Sequence, residues 1–328
     1  MEELYFTLLV LNNLRTQRML KGKKKQSVAV IVLNWNGFED TRECIESVSK
    51  NDYKDFKVIV VDNGSINGEV VRLKNKFGSR IMILESKKNL GYCGGSNLGA
   101  NYCKNLKFDY FMILNNDTIA EPKLISTLVK AIEKDHKIAA VNPVVFQYFK
   151  KNIIENTGLR FNMWHGEITP NNIGQKQPVC LRQPDIICGT CFLFRTSILH
   201  DIKYLFDEDF FCYYEDPDLS VRLKNKGYKI AVCYNAVIWH KGHASSRKVS
   251  GFTEFQAIRN RFLMESKNAT LTQKITFLII MLFLYFPFRF LKIAVFKKDG
   301  NLNYFLRGFR AGLRVFFGGK LEKFNKVF

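Results

Sequence analysis

Proline is scarce in this 328-residue chain, seven in all beside 21 glycines, which excludes Pro-rich and collagen-like architectures. No G-x-x-x-x-G-K-[ST] occurs, so a P-loop nucleotide fold is excluded. The glycine-rich turn Asn89-Leu-Gly-Tyr-Cys-Gly-Gly-Ser-Asn-Leu-Gly99 does not spell G-x-G-x-x-G either. A bilayer-spanning helix needs ~20 apolar residues; the C-terminal uncharged run, Ile275 to Phe288, has fourteen, and Pro287 is expected to break or kink a helix there. No small-residue cleavage site of a secretory leader is legible near the start. The eight cysteines are therefore expected to be reduced thiols of a cytosolic compartment. Cys188-Gly-Thr-Cys191 has redox or metal spacing, but no second C-x-x-C follows, so the pair reads as small residues opening a strand.

Acidic residues are in the minority: 30 against 50 basic, net +20. A composition of 47% hydrophobic and 24% charged residues excludes a disordered chain. Residues 1–27 carry a net +4 and residues 271–328 a net +9, leaving +7 for everything between. A basic chain invites a nucleic-acid reading. Here the basic ends are also the most apolar and aromatic segments, which favours an anionic membrane surface as partner and no nucleic acid. The eight-residue run Leu4–Leu11, followed by Arg15, Arg18 and Lys21-Gly-Lys-Lys-Lys25, reads as an amphipathic lead-in. Tyr304 to Arg314 interleaves aromatic and basic residues, as a helix lying among lipid headgroups does.

Four apolar runs, Val28–Leu33, Phe56–Asp62, Arg80–Leu84 and Phe108–Leu114, alternate with helix-like segments near 38–50, 67–77, 95–105 and 121–134. Buried strands alternating with helices predict a parallel sheet covered on both faces. In such sheets ligands bind at the carboxyl ends of the strands. Three of the four ends carry polar clusters: Asn34 and Asn36, Asp62 and Asn63, and Asn115-Asn116-Asp117. One cluster is ordinary turn chemistry; three on one edge point to a site.

In this order the chain resembles the family 2 glycosyltransferases, and within them the rhamnosyltransferase-like members. The resemblance rests on Val30-Ile-Val-Leu-Asn-Trp-Asn-Gly37, Val60-Val-Asp-Asn-Gly-Ser65, Asn89-Leu-Gly-Tyr92 with Asn97, and Leu114-Asn-Asn-Asp-Thr118. It continues through Gly189-Thr-Cys-Phe-Leu-Phe-Arg195, Phe206-Asp-Glu-Asp-Phe-Phe211, Glu215-Asp-Pro-Asp-Leu219 with Arg222, and Ile238-Trp-His240, covering about residues 28–262. It implies an α/β fold of the GT-A type, a Rossmann-like mixed sheet with helices on both faces, and inversion at the anomeric carbon. It also implies a nucleotide-diphosphate sugar donor, with UDP or dTDP favoured over GDP, and a glycan or lipid-linked acceptor. Asn34, Asn36 and Asp62 would sit at the nucleobase. Asn89, Gly91, Asn97, Asn115, Asn116 and Asp117 would complete the donor site. Asp117 and His240 would hold a divalent metal, Mg²⁺ or Mn²⁺. The family's D-x-D is here Asn115-x-Asp117, one carboxylate fewer, which puts strict metal dependence in question. Arg259-Asn260-Arg261 also matches a family pattern and receives no role.

Asp216 would be the catalytic base, with Glu215 beside it. Asp209, Glu215, Asp216 and Asp218 crowd one helix start, and crowded carboxylates raise one another's pKa, which suits a base. Asp216-Pro217 also fits a helix N-cap with proline following, and Asp218 fits a pair with Arg222 four residues on. If Asp216 caps, Glu215 or Asp218 is left as base. His243 completes H-x-x-H with His240, but no further ligand signal accompanies it. Arg247 and Lys248 are candidates for phosphate or lipid pyrophosphate.

The expected organisation is a basic extension at 1–27 and a catalytic domain at 28–265, divided into a nucleotide half (28–118) and an acceptor half (119–265). A helical tail at 266–328 would associate with the cytoplasmic face of the membrane, peripherally or monotopically. The enzyme would serve cell-surface polysaccharide synthesis. Other readings are a nucleotidyltransferase-like enzyme, a basic nucleic-acid-binding protein, and an idle fold acting as an assembly partner.

Overall fold

The computed structural model describes residues 26–177, 184–242, 251–294 and 302–323. The N-terminal run Leu4–Leu11, Cys180, His243, Arg247 and Lys248 lie outside them.

Strands β1 (Val28–Asn34), β2 (Phe56–Asp62), β3 (Ile81–Glu85) and β4 (Tyr110–Asn115) run parallel in the order β3-β2-β1-β4. Helices α1 (Phe38–Val48), α2 (Glu69–Phe77) and α3 (Gly91–Asn105) form the connections. Alternation sorts the side chains of β1. Val28, Val30 and Val32 pack with Cys44, Val48 and Leu73 of α1 and α2, while Ala29 and Ile31 pack with Cys93, Ala100 and Cys103 of α3. The glycines of α3 let it lie close on the sheet: a Cβ at Gly95 would stand 2.9 Å from Leu33, and one at Gly99 2.7 Å from Ile31.

The rest of the chain extends this sheet rather than building another. The short β5 (Thr118–Ala120) and α4 (Leu124–Ile132) lead to β6 (Ile138–Gln147), which carries β7 (Ile154–Asn156) on its edge. A separate hairpin follows, β8 (Leu159–Asn162) with β9 (Glu167–Pro170). Strand β10 (Cys191–Arg195) inserts antiparallel between β4 and β6. Helix α5 (Glu215–Asn225) then leads to β11 (Lys229–His240), which pairs with β6 and β5. The sheet is therefore mixed, nine strands among the described residues.

Helices α6 (Phe252–Asn268), α7 (Leu271–Ala294) and α8 (Leu302–Phe316) close the molecule. They share a phenylalanine core: Phe262, Phe277, Phe305 and Phe309 with Ile258, Met281 and Ile293. The expected domain limit at residue 265 falls inside α6. Of the break or kink expected at Pro287, the break does not occur: α7 continues through it with an irregular turn just before. A π-turn at Met281–Tyr285 precedes the proline and widens the helix where its missing N–H and ring would clash. The fourteen uncharged residues thus belong to a 24-residue helix. It is the one helix among the described residues long and apolar enough to cross a membrane.

Candidate active site

Strand register brings the three polar clusters to one edge. Asn34 stands opposite Asp62, and Leu33 opposite Asn115. A cavity of about 350 Å³ opens there, and its wall includes Asn89, Gly91, Asn115, Asn116, Asp117, Glu215, Asp216 and His240. Asn34, Asn36, Asp62 and Asn97 do not line it.

Those four residues shape the edge from behind. Asn34 is fully buried; its amide donates to Asp62 Oδ1 at 2.9 Å and Glu69 Oε2 at 2.8 Å, and its side-chain oxygen accepts from the Thr41 hydroxyl at 2.7 Å. Glu69, which no sequence pattern marked, also accepts from the amides of Gly37 (3.0 Å) and Phe38 (3.3 Å), satisfying the first turn of α1. Asp62 Oδ2 accepts from the Ser65 amide at 3.1 Å, and Asn36, with φ 49°, accepts from the Ile66 amide at 3.0 Å. Asn97 donates to Phe206 O at 2.8 Å and accepts from the Phe206 amide at 2.9 Å. Asn89 accepts from the Gly91 amide at 2.8 Å and from Asn63 at 3.0 Å, and Asn116 donates to Thr41 at 3.0 Å.

Across the cavity the β5–β11 pairing sets His240 opposite Thr118, and so beside Asp117. His240 Nε2 lies 3.3 Å from Asp117 Oδ1, and Nδ1 lies 2.8 Å from Glu155 Oε1. Burial disfavours the charged ring, but the two carboxylate partners outweigh it and lift His240 to about 10. Glu155 has no sequence signature. It arrives because β7 and β11 both border β6. Among the described residues no group of three His, Cys, Asp or Glu side chains is arranged as a metal cage.

The third wall is the start of α5. The helix cap is Tyr214, in left-handed conformation, not Asp216. The helix begins two residues earlier than Asp216-Pro217 implies, and the Asp216 side chain turns instead to Gly189, whose amide donates to Oδ2 at 2.7 Å. Asp216 Oδ1 and Glu215 Oε2 are buried without a hydrogen-bond partner among the described residues. Burial pushes Asp216 up to about 7, against the pull of the Gly189 amide. Burial and then the neighbouring Asp216 hold Glu215 well above the usual carboxylate range. Two adjacent buried carboxyls resist double ionisation, so the pair can take a proton from a hydroxyl near neutral pH. The other two acidic residues are engaged: Asp209 with Lys267 at 2.8 Å, and Asp218 with Arg222 at 2.7 Å, the latter as the spacing predicts. The Tyr92 hydroxyl donates to Gly189 O at 2.6 Å, bracing the glycine from its other side. The seven described cysteines are free thiols, and burial pushes Cys188, in the cavity wall, up to about 12.

This architecture matches solved glycosyltransferases. One is GalNAc-T7 with UDP, GalNAc and Mn²⁺ (TM-score 0.63, 13% identity, covering 89% of this chain and 58% of that one). Another is the Pyrobaculum calidifontis mannosyltransferase PcManGT with GDP-Man and Mn²⁺ (TM-score 0.54, 16% identity, 94% and 89%). The fold is therefore GT-A. Among sequences, an uncharacterized glycosyltransferase of Haemophilus influenzae is 25% identical, covering 68% of this chain and 71% of its own. The low-salt glycan biosynthesis hexosyltransferase Agl10 of Haloferax volcanii is 24% identical over 72% of this chain and 74% of its own. The profile of Glycosyl transferase family 2 matches residues 27–203, more than half of the chain. The protein belongs to that family and is a glycosyltransferase.

Proposed function

We propose that this glycosyltransferase inverts configuration, moving a hexose or deoxyhexose from a nucleoside diphosphate onto a lipid-linked glycan at a membrane surface, in cell-surface polysaccharide synthesis. The observation that carries the reading is Asp216: a cavity-lining carboxylate with one oxygen held by Gly189 and the other buried and unpartnered among the described residues. That oxygen takes the proton of the acceptor hydroxyl. The hydroxyl oxygen then bonds to the anomeric carbon from one face as the bond to the diphosphate oxygen breaks on the other. Burial and the neighbouring Asp216 hold Glu215 well above the usual carboxylate range, so the two carboxyls do not readily ionise together and Asp216, with its oriented carboxylate, is the base of the pair.

Asp117 would hold a divalent cation through its carboxylate, and His240, with Glu155 on its other ring nitrogen, would join it only by giving up the ring proton that its two carboxylate partners hold on it. When bound, Mg²⁺ or Mn²⁺ supplies charge neutralisation on the diphosphate. Asn89, Gly91, Asn115 and Asn116 border the donor, while Asn34, Asn36, Asp62 and Asn97 hold that border in shape. Neighbours that bind UDP or GDP-Man with Mn²⁺ support a nucleotide-sugar donor.

Membrane association is supported by α7. Its Phe277, Met281 and Ile293 are buried against α6 and α8, while Ile275, Ile279, Leu282, Phe283 and Phe288 are exposed. Arg289, 3.5 Å from Glu254 of α6, ties the helix alongside the catalytic body. A helix so attached lies in the interface rather than crossing it, and the cytoplasmic leaflet, where soluble sugar nucleotides are available, is the proposed side.

The test uses purified protein, membrane extract as acceptor, and UDP-, dTDP- and GDP-sugars, following nucleoside diphosphate release with and without EDTA. Release with one donor, lost in Asp216→Asn, is expected. Full activity in that variant would remove the base assignment, and release that survives EDTA would remove the cation.

A further inference from the structure

Three non-glycine residues just ahead of Glu215 adopt left-handed backbone: Phe211 (φ 63°), Tyr213 (φ 69°) and Tyr214 (φ 71°). A β-carbon disfavours that region, and bulky aromatic residues enter it only where their surroundings dictate it. The surroundings here are unusually explicit. Five successive main-chain carbonyls, from residue 209 to residue 213, are each taken by a donor from elsewhere in the fold. Arg259 Nη2 donates to Asp209 O at 2.9 Å and to Phe210 O at 3.1 Å. The two hydrogens of the Asn260 amide are shared among Phe210 O (2.9 Å), Cys212 O (2.9 Å) and Tyr213 O (2.7 Å). Phe211 O receives the Cys93 amide at 3.1 Å, and it approaches Gly91 so closely that a Cβ there would stand 2.4 Å away.

Arg259 and Asn260 are themselves buried, Asn260 completely. The Arg259 guanidinium donates to the Asn260 side-chain oxygen from Nε (2.8 Å) and Nη2 (2.6 Å), which fixes the way the amide points. Two neighbours on one helix thus act as a unit, one orienting the other, and the other gripping the loop.

We propose that Asn260, oriented by Arg259, is a positioning residue: it holds residues 210–214 in their left-handed course and so delivers the Glu215 and Asp216 carboxylates to the cavity. It touches no substrate. Its catalytic consequence rests on the glycosyl-transfer reading above; its geometric consequence does not. Released from the clamp, the loop relaxes, and the Asp216 carboxyl, now walled by Gly189, Glu215, Tyr92 and the Cys188 thiol, gains water.

The test takes the full chain with Asn260→Ala, and the milder Asn260→Ser, each alone and combined with Tyr213→Gly. Glycine takes a φ of 69° freely. The clamp therefore predicts that the loss of Tm caused by the Asn260 change is at least halved in the Tyr213→Gly background. The Asp216 carboxyl, followed by ¹³C NMR and assigned by its absence in Asp216→Asn, should titrate at least about one pH unit lower in the Asn260 variant. Turnover should fall roughly 100-fold with the donor KM within about threefold. Equal Tm losses in both backgrounds, with the Asp216 titration unmoved, would overturn the proposal and leave Asn260 a packing residue of α6. If Asn260→Ala does not fold, Asn260→Ser is read by the same criteria. If the wild-type protein turns over no sugar nucleotide, the glycosyl-transfer reading fails, while the melting cycle and the titration still decide the clamp.

Discussion

The Gly189 amide reaches one oxygen of Asp216 at 2.7 Å, and the other oxygen of the same carboxylate accepts nothing among the described residues. One bond orients the group and leaves its remaining lone pairs for the cavity. The consequences can be measured.

Activity should follow the ionisation of Asp216. Burial, opposed by the Gly189 amide, sets that group at about 7, and a base works only when deprotonated. kcat/KM, which reports ionisations of the free enzyme, should rise about tenfold per pH unit below 7 and level off above it. A flat profile from pH 5 to 8 would contradict the assignment.

The same group works against the fold as pH rises. Its folded pKa lies above its ordinary value of 3.8, so the native state binds the proton more tightly. That contribution is complete below about pH 4 and is lost as pH climbs through 7. Asp216→Asn keeps an oxygen for Gly189 and carries no charge. It should melt ~2–4 °C higher than wild type at pH 8, with the gain vanishing near pH 4. Thermal melts at the two pH values check this.

Gly189 has no room for a side chain. An added Cβ would stand 2.8 Å from both Asp216 carboxylate oxygens. Gly189→Ala should therefore displace the base and lower kcat roughly 100-fold while the protein stays folded. Steady-state kinetics beside a melting curve separates the two effects.

Glu69→Ala should act on stability instead. It would strand the Gly37 and Phe38 N–H groups and take from the Asn34 amide one of its acceptors, leaving it Asp62. A loss on the order of 2–3 kcal/mol is expected from unsatisfied buried donors, read as a lower denaturant midpoint.

The outward face of α7 should carry membrane binding. Phe283 and Phe288 are 71% and 69% exposed. Phe283→Glu with Phe288→Glu should abolish flotation of the protein with anionic phospholipid vesicles and leave its melting temperature within a few degrees of wild type. Unchanged flotation would move the contact elsewhere.

The sheet of the first half is legible because each strand is a continuous apolar run closed by turn residues. The runs at 28–33 and 56–62 lie within a residue of the observed strands Val28–Asn34 and Phe56–Asp62. The carboxyl-edge polar clusters follow from the same logic. What escapes depends on distant pairing or on local geometry with no signature. Glu155 meets His240 across 85 residues because two strands flank β6. Glu69 looks like any first-turn acid until Asn34 is found beneath it. The Asp216-Pro217 step reads as a cap because Asp-Pro commonly begins helices; a left-handed tyrosine begins this one earlier. Arg259-Asn260 is visible as a pattern, but its partners are backbone carbonyls, which no sequence displays.

Arg259 also donates through Nη1 to the carbonyl of Glu322, at 2.8 Å. The far end of the chain is thereby wired to the loop beside the base. Trimming the protein after residue 265, an obvious way to obtain a more tractable catalytic fragment for crystallisation or screening, would cut through α6 and take Glu322 with the discarded piece. A fragment inactive for that reason would mislead whoever tested it.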